Sequence, residues 1–231
     1  MVEIDGRPII WHIMKRYADY GYKDFVIALG YKAGFVKHYF ANYHSAQNDY
    51  TVNLASGDKT IDSSGDIDWN VTLVDTGLKT MTGGRVKRLA EHLNGQPFLL
   101  TYGDGVANVN IKELVEHHKS STNLVTLTAV RPTARFGELE LNNNLVTSFK
   151  EKSQLNVGWV NGGFFVCEPQ MLNYIKDDTV MLEREPLEEI AAKSQLGAFK
   201  HHGFWQCMDS KRDRDFLQSL CDEGSQAWLE I

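Results

Sequence analysis

Cysteine is scarce in this sequence of 231 residues, which contains only Cys167, Cys207 and Cys221. None of the three belongs to a CxxC pair, and an odd number cannot all be paired in disulfides. The histidines that stand together, His117-His118 and His201-His202, are adjacent residues whose side chains point to different sides of a helix or strand. We therefore expect neither a disulfide framework nor a zinc site, and reduced thiols fit a cytoplasmic protein.

Long apolar runs are also lacking, since none reaches the 18 residues typical of a membrane span. The N-terminus has neither the basic region nor the apolar region of a signal peptide. Basic residues are outnumbered, with 24 Lys and Arg against 30 Asp and Glu and a net charge of −6. We expect no membrane partner and no nucleic-acid partner, although the charge leaves room for a local anion site.

The sequence does contain a globular share of hydrophobic residues, 42%, without repeats, low-complexity tracts or a linker. Along the first 130 residues, apolar strand-like runs alternate with stretches of helical periodicity. The predicted strands there are Phe25–Gly30, Trp69–Asp75, Phe98–Tyr102 and Leu124–Val130. This alternation predicts one α/β domain over residues 1–231, with a mostly parallel sheet flanked by helices.

After residue 136 the pattern changes to alternating polar and apolar residues. Glu138–Leu141 and Leu145–Lys152 alternate on both sides of the turn at 142–144, which predicts an antiparallel hairpin. Val160–Glu168 follows as a strand that carries paired glycines. Along the whole chain, the predicted helix caps are Thr82, Asn110 and Ser210.

Asp104 stands between two glycines directly after the buried strand Phe98–Tyr102. Ligands of open α/β sheets bind beyond the carboxyl ends of the strands, and glycines let a bulky ligand approach the backbone. A carboxylate in that place suits a divalent metal that bridges phosphates. Judged from these residues alone, an Asx turn without any ligand explains Asp104 equally well.

Three further stretches carry polar residues in places where a ligand could bind. Glu151-Lys152 ends the hairpin and either holds sugar hydroxyls and a phosphate or forms a solvated charge pair. Asn161-Gly162-Gly163 marks either a bulge that serves packing or a surface approached by a ligand. Asp209 precedes a predicted helix, and it is a second metal ligand if it lies near Asp104 and a capping carboxylate otherwise.

Six stretches of the sequence, taken in order, resemble a known family. The first, MVEIDGRPIIWH at residues 1–12, is similar to the first helix region of bacterial sugar-1-phosphate nucleotidylyltransferases. The other five are similar to the glucose-1-phosphate cytidylyltransferases within that group. They are VTLVDTG (71–77), MTGGR (81–85), TYGDGVA (101–107), NGGFF (161–165) and FWQCMD (204–209). The likeness extends over nearly the whole chain, to Trp228.

The resemblance implies that CTP and α-D-glucose 1-phosphate react to CDP-glucose and pyrophosphate, for the deoxysugars of surface polysaccharide such as O antigen. It also implies a Rossmann-like nucleotide-diphospho-sugar transferase fold, a Mg²⁺ cofactor and a homo-oligomer, which is a hexamer in the family. Residues 1–130 would form the nucleotide-binding part, and residues 131–231 the sugar-binding and C-terminal part. The alternatives are a nucleotidylyltransferase that uses dTTP or UTP, and a non-catalytic sugar-phosphate-binding or oligomer subunit.

The resemblance also assigns roles to particular residues. Asp104 and Asp209 match the metal ligands and, together with Lys152 on the sugar phosphate, the catalytic residues. The residues implied in nucleotide binding are Gly84, Arg85, Gly103 and Asp104. Those implied in sugar-phosphate binding are Gly137, Glu151, Lys152, Asn161 and Gly162. Such a set would act mainly by positioning the reactants and by offsetting charge at the phosphates.

The sequence departs from the family's pattern at its start. The family begins with an apolar strand, a GGxGTR loop that holds the triphosphate and a Lys-Pro pair, and this sequence begins at the methionine that follows them. We therefore expect a one-strand gap beside Phe98–Tyr102 or another segment that fills it. We also expect a chain that is inactive with CTP by itself and poorly soluble. Ser153 and Cys207 stand where the family has proline.

Overall fold

The computed structural model describes residues 1–61, 67–132, 138–150 and 158–230. Its α-helices are α1 (Ile9–Ala18), α2 (Ala33–Ala41), α3 (Tyr43–Gln47), α4 (Thr82–Arg88), α5 (Ile111–Lys119), α6 (Glu185–Ala192) and α7 (Lys211–Asp222). Its strands are β1 (Glu3–Ile4), β2 (Arg7–Pro8), β3 (Asp24–Leu29), β4 (Tyr50–Val52), β5 (Lys59–Ile61), β6 (Asn70–Asp75), β7 (Phe98–Thr101), β8 (Gly105–Ala107), β9 (Val125–Val130), β10 (Glu138–Asn142), β11 (Leu145–Lys150), β12 (Val160–Cys167), β13 (Leu196–Lys200) and β14 (Trp205–Cys207). Short 3₁₀-helices lie at Ala90–His92, Pro169–Tyr174 and Ala227–Leu229. Among the helices described here, none has the length and apolar character needed to cross a membrane.

The α/β class predicted from the sequence is confirmed, and its largest sheet has four strands in the order β13–β9–β12–β7. The pairs β3–β6 and β9–β13 are parallel, whereas β12 runs antiparallel to both β7 and β9. The large sheet is therefore mixed, where the sequence analysis expected a mostly parallel one. The described part of the connection from β9 to β12 is the predicted hairpin β10–β11 rather than a crossover helix, which fits the antiparallel return of β12.

The sheet structure is interrupted between β3 and β7. Within the described part of the chain, β7 is hydrogen-bonded to β12 alone, and β3 pairs with β6 in a separate sheet. This break lies beside the strand where the sequence analysis expected a gap.

Two hydrophobic clusters pack on opposite faces of the large sheet, because successive side chains of β12 alternate between the faces. Phe164 and Val166 belong to the cluster that includes buried residues of α1, α5 and α7. Phe165 and Cys167 belong to the other cluster, which includes buried residues of α4 and α6. Helices thus cover both faces, and β12 lies at the centre of three layers.

Local signals set the start of two helices as predicted. The Asn110 side chain accepts a hydrogen bond from a backbone N–H in the first turn of α5 at 3.1 Å. Ser210 and Asp213 form a capping box at the start of α7. The prediction for Thr82 is wrong, because Met81 is the cap residue of α4 and Thr82 is the first helical residue. The reason lies in contacts of the Thr82 hydroxyl that are described below.

The C-terminal residues are held against α1 by buried side chains. The Arg16 Nε–H donates to the Trp228 carbonyl at 3.1 Å, and the Trp228 indole N–H donates to His12 Nδ1 at 3.3 Å. His12 Nε2 in turn donates to the Ile4 carbonyl at 2.9 Å. This set of partners requires a neutral His12 ring with its proton on Nε2. The two ends of the described chain are therefore joined through α1.

Candidate active site

The ribbon of β8 and β14 brings two aspartates together. The strands are antiparallel with Gly105 opposite Cys207, and the Met208 N–H donates to the Asp104 carbonyl at 2.7 Å. Asp104 directly precedes β8 and Asp209 closely follows β14, so the pairing places both residues on the wall of one cavity. The structure thus brings these two residues together, whereas their metal-binding role stays a prediction.

The cavity has a volume of about 210 Å³ and lies beside the carboxyl end of β7. Tyr102 and Asp104 line it from the β7 side, Asn161 and Gly162 from β12, and Trp205 from β14. None of the described residues that line it is basic. A ligand that carries phosphate groups would therefore need a metal cation or a basic residue brought from elsewhere.

Asp104 lies in surroundings that disfavour its negative charge. Removal from water raises the pKa of its carboxyl above the ordinary value of 3.8, and the nearby Asp209 carboxylate raises it further. A divalent cation would offset both effects, and carboxylate oxygens are ligands that Mg²⁺ prefers. Within the described ranges, no group of three His, Cys, Asp or Glu could hold a metal. The two carboxylates of Asp104 and Asp209 suit a Mg²⁺ ion whose remaining ligands would come from substrate phosphates and water.

Strand β12 carries a bulge where it passes the cavity. Its register with β9 shifts between Asn161 and Phe165. Gly163 has a φ of +81°, which glycine adopts without strain, and a Cβ there would lie 2.8 Å from the Tyr102 ring. The paired glycines thus form a bulge that packing requires, and Asn161 at its start faces the cavity.

Hydrogen bonds fix the orientation of the Asn161 amide. Its Oδ1 accepts the Gly163 N–H at 2.9 Å, and its Nδ2 donates to the Tyr102 hydroxyl at 3.1 Å. The Glu183 side chain lies near the Tyr102 hydroxyl, and burial together with that carboxylate raises the pKa of Tyr102 above its ordinary value of 10.

Glu183 also contacts α4. Its Oε2 accepts the hydroxyl proton of Thr82 at 2.7 Å, and the Thr82 oxygen accepts the Leu182 N–H at 2.9 Å. These two tertiary contacts occupy the hydroxyl that the sequence analysis had assigned to a helix cap. Glu183 therefore lies between Tyr102, which holds the Asn161 side chain, and the first residue of α4.

Sequence reasoning did not single out Tyr102, Trp205 or Glu183 as site residues. The Trp205 indole N–H donates to the Gly162 carbonyl at 2.8 Å, which joins β14 to β12 at the cavity. Tyr102 and Trp205 stand inside motifs that carried the resemblance, so a signal for them was available. No sequence signal marked Glu183, because its contacts arise from tertiary packing.

Two residues assigned to nucleotide binding lie away from the cavity. A Cβ on Gly84 would come within 2.5 Å of Asp178 Cα, so close packing by itself requires glycine there. The Arg85 guanidinium donates to the Leu29 carbonyl at 3.0 Å and to Thr76 Oγ1 at 2.7 Å. Arg85 therefore lies at the carboxyl ends of β3 and β6, at the edge where α/β sheets bind ligands.

The remaining assigned residues fall in different places. Gly103 is exposed and does not line the cavity. Gly137, Glu151 and Lys152 lie outside the described residues, so their contacts with a sugar phosphate stay predictions. Of the sugar-pocket residues, the structure places Asn161 and Gly162 together at the cavity.

Comparison with known proteins shows similarity along nearly the whole chain. A family model described as "Nucleotidyl transferase" matches residues 1–205. A Salmonella typhimurium protein named glucose-1-phosphate cytidylyltransferase is 46% identical over 229 residues, which are 99% of this chain and 89% of that protein. A Bacillus subtilis protein named probable glucose-1-phosphate cytidylyltransferase is 35% identical over 97% of this chain and 88% of its own length.

Solved structures share the fold at low sequence identity. HddC from Yersinia pseudotuberculosis superposes with a TM-score of 0.68 at 18% identity, over 97% of this chain and 88% of that chain. A UDP-glucose pyrophosphorylase complexed with UDP-glucose gives a TM-score of 0.67 at 13% identity, over 97% and 90%. These likenesses confirm the Rossmann-like nucleotidyltransferase fold that the sequence analysis expected.

Proposed function

Because the chain belongs to the nucleotidyl transferase family, we propose that it transfers the cytidylyl group of CTP to α-D-glucose 1-phosphate and releases pyrophosphate. The observation that carries this proposal is the 46% identity with the Salmonella typhimurium protein over 99% of the chain. The cavity supports it, since Asp104 and Asp209 meet there beside Asn161. The product, CDP-glucose, would supply deoxysugars for surface polysaccharide.

We propose Mg²⁺ as the cofactor, with Asp104 and Asp209 as its protein ligands. When bound, the ion supplies positive charge that offsets the charge of the phosphates. The reaction itself is an in-line displacement at phosphorus. An oxygen of the sugar phosphate attacks the α-phosphorus of CTP, and the bond from that phosphorus to the bridging oxygen breaks as pyrophosphate leaves. The protein residues contribute by holding the two substrates in line.

The other proposed roles follow a division into a nucleotide-binding part, residues 1–130, and a sugar-binding and C-terminal part, residues 131–231. Asn161 has a direct structural argument, because no described residue accepts its second amide N–H, which leaves that N–H for a sugar hydroxyl. The residues proposed to contact the nucleotide are Gly84, Arg85 and Gly103. Those proposed to contact the sugar phosphate are Gly137, Glu151, Lys152 and Gly162, with Lys152 on the phosphate and Glu151 on the hydroxyls.

We also propose that the protein forms a homo-oligomer in the cytoplasm. Helix α2 has no buried residue, and it presents Phe35 with 63% of its surface exposed, next to Tyr31 with 77%. Contiguous exposed apolar side chains of this kind mark contact surfaces. Sedimentation velocity of the wild type and of Phe35→Ser tests this, and equal sedimentation of both as monomers would reject it.

The activity is tested by pyrophosphate release with glucose 1-phosphate and CTP, dTTP or UTP, with and without Mg²⁺. The same assay tests the expectation of the sequence analysis that residues 1–231 are inactive with CTP by themselves. If the proposed function is right, pyrophosphate is released with CTP and Mg²⁺, and a chelator that removes the metal stops the release.

The alternatives give different results in the same assay. Faster release with dTTP or UTP assigns another nucleotide. Calorimetric binding of glucose 1-phosphate without release of pyrophosphate from any nucleotide identifies a non-catalytic binding subunit. Either result overturns the proposed cytidylyl transfer.

A further inference from the structure

Four side chains form a basic patch around one indole ring: Arg131, Trp159, Lys200 and His202. The Arg131 guanidinium carbon lies 4.7 Å from the centroid of the Trp159 ring, and Lys200 Nζ lies 5.6 Å from it. The His202 ring meets the indole edge to face with centroids 5.3 Å apart. Three groups that can carry positive charge therefore converge on one aromatic side chain.

The sheet register places this basic patch next to the cavity. Asn161 is paired with Ala129, and Ala129 is paired with Lys200 in β13. Paired residues project to the same face of a sheet, as do residues two apart along a strand. Arg131 and Trp159 lie two positions beyond Ala129 and Asn161, so they extend the face on which Asn161 lies. Only the small side chain of Ala129 separates Asn161 from Lys200 across the strands.

The charges of the basic patch are not paired within the described part of the chain. Arg131, Lys200 and His202 are exposed, and none of them forms a hydrogen bond or ion pair with a described residue. The chain as a whole carries a net charge of −6. Basic side chains that lie together on an acidic protein, with no acidic partner among the described residues, attract anions to that place.

We propose that the basic patch binds a phosphate group other than the one that reacts. The planar guanidinium of Arg131 can hold two phosphate oxygens, and the Lys200 ammonium adds a point charge. The phosphate group at the basic patch is distinct from the reacting phosphate, because the two places lie on different sides of β12 in the strand order β13–β9–β12–β7. This order puts Arg131 and Lys200 on the side of β12 away from β7 and Asp104.

Binding of inorganic phosphate tests the proposal without any turnover, so its outcome does not depend on the proposed activity. Isothermal titration calorimetry at low salt compares the wild type with Arg131→Gln/Lys200→Gln. The matched control is Lys112→Gln/Lys119→Gln, which removes the same charge from exposed positions of α5. We expect at least tenfold weaker phosphate binding in the first variant and an unchanged affinity in the control.

Trp159 supplies a second readout that does not depend on a charge variant. Phosphate should change the tryptophan fluorescence of the wild type, and Trp159→Phe should remove that change while the calorimetric affinity falls less than tenfold. All four side chains lie at the surface or partly exposed, so the variants should fold, which thermal melting checks. Equal phosphate affinity in the wild type, Arg131→Gln/Lys200→Gln and the lysine control overturns the proposal.

Two sources of the phosphate group are separated by further titrations. If it belongs to the sugar substrate, glucose 1,6-bisphosphate should bind at least tenfold more tightly than glucose 1-phosphate, and Arg131→Gln/Lys200→Gln should abolish that difference. If it belongs to a separate effector, inorganic phosphate should bind with unchanged affinity in the presence of saturating glucose 1-phosphate. Either result supports the site and identifies its ligand.

Discussion

At the scale of single residues, Asp104 is a carboxylate of the cavity whose surroundings disfavour its negative charge. Its raised pKa, due first to removal from water and second to Asp209, means that the folded state binds a proton there more readily than the unfolded state. The free energy of unfolding therefore falls as the pH rises from about 3.8 through the raised pKa. Above the raised pKa this loss of stability is complete, so the charged Asp104 lowers the free energy of unfolding of the metal-free protein at neutral pH.

Replacing this carboxylate should separate stability from function. Asp104→Asn should raise the melting temperature of the metal-free protein at pH 7, because it removes the repulsion from Asp209, and should give no such gain below pH 3.8. It should also abolish stabilisation by Mg²⁺ and lower kcat of the active enzyme by roughly 10²–10³-fold. Thermal melting and pyrophosphate release measure these effects. Asp58→Asn in the exposed hairpin is the control, and a lower metal-free melting temperature of Asp104→Asn at pH 7 would contradict the argument.

Gly84 offers a second test at this scale, because packing explains the residue without reference to a nucleotide. A Cβ there would lie 2.5 Å from Asp178 Cα and 2.9 Å from its carbonyl oxygen. Gly84→Ala should therefore lower the free energy of unfolding by roughly 1–3 kcal/mol. Gly34→Ala in α2 has no atom within 4 Å of the new Cβ and should be neutral or stabilising. Urea denaturation of both variants measures this, and equal stability of the two would reject the packing argument.

At the scale of elements, α4 and β12 are joined through Tyr102 and Glu183. Asn161 donates to the Tyr102 hydroxyl, and the Glu183 carboxylate lies near that hydroxyl and accepts the Thr82 hydroxyl proton. Glu183 does not line the cavity, so it acts as a positioning residue for Asn161. Loss of Glu183 should therefore weaken binding of the sugar phosphate more than binding of the nucleotide.

Glu183→Gln should raise KM for glucose 1-phosphate roughly tenfold, because it removes the charge beside the Tyr102 hydroxyl and weakens the charged hydrogen bond with Thr82, which is of about 1.5 kcal/mol. KM for CTP should change little. Tyr102→Phe should have a similar effect, and the double variant should be no worse than either single one, because all remove the same connection. Steady-state kinetics measure this, with Glu188→Gln on the exposed side of α6 as the control. A matching rise in KM for both substrates would indicate a general loss of structure instead.

Local patterns predicted most elements, and they predicted the candidate site in part. β6 followed from a run of β-branched residues, and Asn110 and Ser210 followed from capping chemistry that is complete within four residues. β8 and β14 have three residues each, too few for periodicity, and they exist through their pairing with each other. Asp104 could be placed from its position after a strand, whereas its closeness to Asp209 depends on that pairing and was indicated by the resemblance.

At the scale of the whole molecule, His12 connects the start of the chain to its end. Burial lowers the pKa of His12 below the ordinary value of 6.5, and its neutral ring accepts from Trp228 and donates to Ile4. The unfolded chain takes up a proton near pH 6.5, while the folded chain resists it until a lower pH. The stabilisation from a neutral His12 is therefore fully present above pH 6.5 and is lost as the pH falls toward the lowered pKa.

We accordingly expect the free energy of unfolding of the wild type to decline between pH 7 and pH 5, and His12→Gln to reduce the steepness of that decline. Part of the slope should remain, because burial also lowers the pKa of His201. His92→Gln, an exposed residue of the 3₁₀-helix after α4, should keep the slope of the wild type. Urea denaturation at several pH values measures the slopes, so a lower absolute stability of His12→Gln does not affect the comparison. Parallel curves for the wild type and His12→Gln would show that the contact between α1 and Trp228 does not resist protonation of His12.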